Sequence, residues 1–296
     1  MSATDDFKPI ELQDKAIFDD FLTQDPPETS ELTFTNLFMW RYRYRPLWSI
    51  RDNALLIIFH EYGQALSALP PIGKGDKSDA LDFVTRYLKS HCGEARISRV
   101  SNNFLEHHVD KTLYRIVGDR DNSDYVYLAE NLIALPGNKL HRKKNLVNQF
   151  IKKHRFEYRN LTHDLVQSFL GLQENWCELR NCAADKDLAE ENQAVYEALI
   201  NYDSLRFQGG AILIEGKVAA FSLGEMLNQS TAVIHIEKAD PSITGLYAAI
   251  NNLFCREAWT DAKYINREQD LGLENLRKAK ESYHPDHMVQ KHTLFA

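Results

Sequence analysis

One order of elements runs through this chain twice, and that repetition limits its fold more than any other feature. In the first half, residues 46–50 and 54–59 flank the turn sequence Arg51-Asp52-Asn53 and predict a β-hairpin. A third strand follows at 64–69, then a loop at 70–76 containing Gly73 and Gly75, and a helix at 79–90 with Ala80, Phe83, Val84, Tyr87 and Leu88 on one face. Residues 94–100 read as a further strand and Ser101-Asn102-Asn103 as a helix start. The second half repeats the order: a hairpin of 210–215 and 217–223, a strand at 231–238, a loop at 239–245 ending in Gly245, and a helix at 246–259. A strand at 262–266, a helix from Asp270 to about Tyr283 and a returning strand at 288–294 complete it. The expectation is an α/β (α+β) protein with two mixed sheets of similar topology: an N-terminal domain over 1–130, a basic helical connector over 131–160 and a C-terminal domain over 161–296.

Composition narrows the class. A length of 296 residues suits one large or two ordinary domains, and 44% hydrophobic with 26% charged residues is the mix of a soluble globular protein. The net charge of −7 argues against whole-chain attraction to nucleic acid or anionic membrane. The polar, acidic start MSATDDFKPIELQDK has no apolar segment of a signal peptide, and no apolar run approaches the ~20 residues of a membrane span. Four scattered cysteines predict reduced thiols and a cytoplasmic location. Neither they nor the histidines show metal spacing, so no metal is expected.

The charge is segregated. Residues 139–159 hold eight Lys and Arg against one Glu, a net of +7, which leaves −14 for the rest. On a helix, Leu140, Leu146, Val147, Phe150 and Ile151 form an apolar stripe, and Lys143 falls inside it. A lysine there either snorkels outward or meets an anion. Arg41, Arg43 and Arg45 alternate with Tyr42 and Tyr44, which suits either a stacking and phosphate-binding strand or an amphipathic strand or helix end.

Asn266, Arg267, Glu268, Gln269, Asp270, Gly272, Leu276, Arg277, Lys280, Ser282, Tyr283 and Pro285 form a dense pattern. It resembles the end of a family allied to the C-terminal catalytic domain of phosphatidylglycerol lysyltransferases. Lys139, His141, Lys143, Lys144, Asn145 and Phe150 resemble that family's second hallmark. The element order is similar to the GNAT acyltransferase fold, and the resemblance implies two GNAT-like units in tandem, as in Fem-type aminoacyl transferases.

The resemblance implies acyl or aminoacyl transfer to an amine or hydroxyl acceptor, with aminoacyl-tRNA or an acyl-coenzyme A as donor. The cleft would lie between the domains or at the splayed strands of the C-terminal one. Glu268 and Asp270 would orient the acceptor or act as base, and Tyr283 would be a general acid toward a leaving thiolate. The competing structural readings are a helix cap plus an ion pair with Arg267, and a core tyrosine. Arg142, Lys143, Lys144, Asn145 and Arg267 would hold phosphate, and the amides around Gly73, Gly75 and Gly245 a pyrophosphate. Pro70 stands where the coenzyme A pattern has Gln or Arg, and the second loop lacks that pattern, so the donor is expected to be other than acetyl-coenzyme A. A silent anion-binding protein and a coenzyme A-dependent N-acetyltransferase are the alternative readings. The oligomeric state is not readable.

Overall fold

The computed structural model describes residues 7–60 and 66–296, so Gln64 and Ala65 of the expected third strand lie outside the described residues. The chain divides into two compact units, one of residues 1–124 with 289–296 and the other of residues 125–288. The division at 124/125 lies close to the expected boundary, and residues 131–160, expected as a basic helical connector, belong to the second unit.

The first sheet contains β1 (Lys8–Pro9), β2 (Leu47–Arg51), β3 (Ala54–His60), β4 (Leu66–Ala68), β5 (Ile72–Gly73), β6 (Arg96–Ser101) and β7 (Arg115–Gly118). The second contains β8 (Asp124–Leu128), β9 (Phe156–Asn160), β10 (Gln208–Ile214), β11 (Lys217–Met226), β12 (Thr231–Ala239), β13 (Tyr264–Asn266) and β14 (His287–Val289). The final strand β15 (Lys291–Phe295), expected in the C-terminal domain, instead pairs antiparallel with both β6 and β7. The reason is electrostatic as well as steric. Lys291 has no exposed side-chain surface, and its Nζ lies 2.7 Å from Asp124 and 2.7 Å from Glu31. A buried ammonium is tolerated only with such partners.

Each sheet has the same inner pattern. The hairpin β2–β3 leads to β4 antiparallel to β3, then through the Lys77–Cys92 helix to β6, parallel to β4. The hairpin β10–β11 leads to β12, then through the Leu246–Ala258 helix to β13, parallel to β12. The apolar run Ala54–Phe59 is buried throughout, as a strand covered on both faces must be. In the second unit Leu246, Ala249, Ile250 and Leu253 of the Leu246–Ala258 helix pack with Phe150, Ile212 and Ala220. Each of the Leu, Ile and Phe side chains contributes ~1.5–3 kcal/mol on burial.

Local expectations fail in instructive places. Arg41–Tyr44 is a short helix, so the arginines and tyrosines do not alternate across a strand. The basic helix is Gly137–Lys153, and Phe156–Asn160 turns into the edge strand β9. Helices Val166–Arg180 and Lys186–Ile200 were not foreseen. Cys177 and Cys182 are joined in a disulfide with Cα atoms 5.1 Å apart, against the expectation of reduced thiols, and Cys92 and Cys255 are free. Among the described residues no helix is long and apolar enough to cross a membrane.

Candidate functional site

β12 and β13 pair only through Thr231–Tyr264, Ala232–Ile265 and Val233–Asn266. Beyond that β13 ends, while β12 runs on to Ala239 against β11. A parallel pair that parts this way exposes strand edges at its carboxyl end, a common ligand position in α/β sheets. At the parting point β12 carries one extra residue: Ile236 faces Leu223 and Ile234 faces Gly224, leaving His235 without a partner across the ladder. Such a bulge re-aims a side chain.

The re-aimed imidazole sits between two carboxylates. Glu268 lies 2.8 Å from Nδ1 and Glu225 3.0 Å from Nε2, with the imidazole 2% exposed and each carboxylate side chain 18% exposed. Burial alone pushes the His235 pKa down, but the hydrogen bonds its ring nitrogens donate to Glu225 and Glu268 outweigh it and raise it to about 9. At neutral pH the imidazole is therefore held as an imidazolium between the two carboxyl groups. Glu268 is also held at φ 57°, a left-handed conformation that costs a non-glycine residue roughly 1–2 kcal/mol. Its amide donates to Asn266 Oδ1 at 2.7 Å, and its carbonyl accepts from the Tyr125 amide at 3.1 Å. These bonds fix the turn that aims Glu268 at His235.

Beside this trio is a cationic corner. Arg267 Nη2 donates to Glu237 Oε1 at 3.0 Å, and Asn251 Nδ2 donates to Glu237 Oε2 at 2.9 Å. The guanidinium lies 4.7 Å from the Tyr283 ring centroid, and Arg267 Nη1 has no hydrogen-bond partner among the described residues. Lys143 reaches the same ring, with Nζ 4.0 Å from its centroid. Burial, then the neighbouring Arg267 and Arg142, push the Lys143 pKa down to about 8. Of the four basic-segment residues expected in the cleft, only Lys143 is half-buried. Arg142, Lys144 and Asn145 are exposed, and Asn145 bonds His141.

Two expected catalytic groups are corrected. Asp270 is fully buried, accepting from Tyr125 Oη, Arg277 Nε and Nη2 and the Gly272 amide. With every one of those bonds internal, it braces the 267–272 turn rather than meeting an acceptor. The helix it was expected to cap is Glu274–Glu281, and Leu273 and Leu276, at the spacing of an apolar stripe with Ala279 and Tyr283, are exposed. Tyr283 is buried, and burial pushes its pKa up to about 12. Its ring is a platform for Lys143 and Arg267, which accords with the core-tyrosine reading.

The Gly73 and Gly75 expectations are corrected as well. The Gly73 amide donates to Asp25 Oδ2 at 2.9 Å and the Gly75 amide to Asn53 O at 3.1 Å, so neither offers its N–H to a phosphate. A Cβ on Gly75 would stand 2.2 Å from Asp52 O. Gly245, at φ 84°, faces Leu146 O, which a Cβ would meet at 2.5 Å. All three permit close backbone packing. His235, Glu225 and Glu237 escaped the sequence reading. For His235 and Glu237 the signal was their alternation with Ile234 and Ile236 in the strand; Glu225 carried none. Among the described residues no group of three or more His, Cys, Asp or Glu is placed to hold a metal.

Residues 25–295 match the family model described as phosphatidylglycerol lysyltransferase, C-terminal, and the chain belongs to that family. It is similar to a conserved protein of unknown function from Bacteroides thetaiotaomicron VPI-5482, at 33% identity and TM-score 0.91 over 98% of each chain. L-PGS from Bacillus licheniformis superposes with TM-score 0.65 at 12% identity, covering 95% of this chain and 91% of that one. A tandem GNAT protein from the clavulanic acid biosynthesis pathway does so with TM-score 0.50 at 8% identity, over 98% and 97%. These last two likenesses establish the tandem GNAT-like fold. An uncharacterized protein of Mycoplasmoides gallisepticum is 23% identical over 178 residues, 58% of this chain and 56% of that relative's length.

Proposed function

We propose that this chain is an acyl- or aminoacyl-transferase, passing its group to an amine or hydroxyl acceptor in the gap where β12 and β13 part. The observation that carries the reading is the Glu225–His235–Glu268 trio at that gap, beside Lys143 and Arg267. Family membership supports it, since phosphatidylglycerol lysyltransferases are by name aminoacyl transferases.

In this reading the acceptor's ammonium is drawn to the Glu225 and Glu268 carboxyl groups, Glu268 takes its proton, and the neutral nitrogen attacks the acyl carbonyl; the C–O or C–S bond to the donor then breaks, the leaving hydroxyl or thiol departing with the electron pair and taking up a proton. His235 orients Glu268 and keeps its charge in place. Arg267, with its unpartnered Nη1, and Lys143 stabilise anionic charge on the donor or on the tetrahedral intermediate. Most of the rate then comes from holding donor and acceptor in register. The exposed Arg142 and Lys144 extend positive charge along the helix surface, which suits a phosphate-rich donor such as aminoacyl-tRNA.

A second reading, a silent anion-binding protein, draws on Asp270 and Tyr283 being taken up in structural contacts. The coenzyme A-dependent acetyltransferase is disfavoured by the occupied Gly73 and Gly75 amides. Incubation with a mixed aminoacyl-tRNA pool, and separately with acyl-coenzyme A species, in the presence of an amine mixture decides between them. Protein-dependent loss of the aminoacyl group from tRNA supports the proposal. Binding with no donor consumed selects the silent binder, and consumption of acyl-coenzyme A alone selects the acetyltransferase.

A further inference from the structure

Lys143 stands apart from the other lysines of its helix. It is half-buried, whereas Lys139, Lys144, Lys152 and Lys153 are exposed. Its Nζ makes no ion pair and no hydrogen bond with a described residue; what it touches is the face of Tyr283. A second cation, Arg267, occupies the same ring, and Arg142 is its neighbour in sequence. The one anion acting on it is Glu237, whose two oxygens already accept from Arg267 and Asn251. The other buried lysines differ here: Lys238 pairs with Glu191, and Lys291 with Glu31 and Asp124. The aromatic face attracts a cation, but burial strips its water and Arg267 and Arg142 repel it, whereas a neutral amide on the same face meets no such repulsion.

We propose that Lys143 is a site of covalent Nε-acylation by small acyl phosphates and thioesters, and that the modification switches off the cationic corner of the site. In the step, the neutral amine attacks the acyl carbonyl and a C–N bond forms. The C–O bond to phosphate, or the C–S bond to the thiol, breaks. The leaving group departs with the electron pair, and the amine proton passes to solvent. The product has lost the charge that Arg267 and Arg142 oppose, so acylation relieves a repulsion built into the fold. The depressed pKa supplies the reactive form. At pH 7 a lysine titrating near 8 is about one-tenth neutral, against roughly one part in 2,500 for an unperturbed one. Desolvation and a cationic neighbour are general means of activating a lysine. The reaction needs only a chemical donor and does not depend on the transferase reading.

The test is a time course of the intact protein with acetyl phosphate at pH 7, read by peptide mass spectrometry. Lys144, Lys152 and Lys153 serve as controls on the same helix. Lys143 is expected to be acetylated at least about tenfold faster than Lys144, with a rate that levels off above pH ~8. A rate equal to or below that of Lys144, or one still climbing in parallel with Lys144 at pH 10, overturns the proposal.

Discussion

Arg277 grips Asp270 with two near-parallel hydrogen bonds, 2.8 Å from Nε and 3.0 Å from Nη2, while Asp270 itself has no exposed surface. This fork, with Tyr125 Oη at 2.6 Å, holds the turn that presents Glu268. Replacing Arg277 by Ala leaves a buried carboxylate without its cation. Since the Arg277 side chain is one-third exposed, a loss of about 2–4 kcal/mol is expected. Urea unfolding measures it, and a change below ~0.5 kcal/mol would refute the brace.

His235 makes stability depend on pH with a definite sign. Its folded pKa is raised to about 9, above the ordinary value near 6.5, so its contribution is fully present below pH ~6.5 and is lost as pH rises through 9. The size is of the order of 3 kcal/mol. The gap in Tm between wild type and His235→Gln should be wide at pH 6 and should shrink between pH 8 and 10. A gap unchanged across that range would show that the imidazole is not clamped as a cation.

Lys143→Met keeps the apolar stem against Tyr283 and removes the charge. Pyrophosphate affinity, measured by calorimetry, should fall about tenfold or more while stability stays within ~1 kcal/mol, because no ion pair is lost. Unchanged affinity would separate the basic helix from the ligand site.

Much of the fold was legible because both halves carry punctuation that acts locally. Arg51-Asp52-Asn53 and Glu215-Gly216-Lys217 turn two hairpins, and the apolar faces of the Lys77–Cys92 and Leu246–Ala258 helices follow from spacing alone. β15 was misassigned because its place is set by Lys291 meeting Glu31, 260 residues away in sequence. The site was half legible. Arg267, Glu268 and Lys143 announce themselves by motif, but His235 becomes important only through a one-residue bulge, which depends on how β12 registers against β11. Asp270 was misread for the same reason: its partners Tyr125 and Arg277 are contacts of the folded state.

Gly245 distinguishes a packing glycine from a phosphate-binding one. Gly245→Ala puts a Cβ 2.5 Å from Leu146 O at φ 84°, and a destabilisation of about 2–4 kcal/mol is expected. Coenzyme A and acetyl-coenzyme A should bind wild type at best weakly in calorimetry. Micromolar affinity for either would reinstate the pyrophosphate role of these loops.

In the proposed transfer Glu268, held by His235 where β12 and β13 part, takes the acceptor's proton. Once a consumed donor has been identified, the single-turnover rate of Glu268→Gln tests this most directly. The variant keeps the size and the hydrogen bond to His235 but cannot take the proton. The account predicts a rate lowered about 10²–10⁴-fold with donor affinity within a few fold of wild type. A Glu268→Gln rate within threefold of wild type would contradict it.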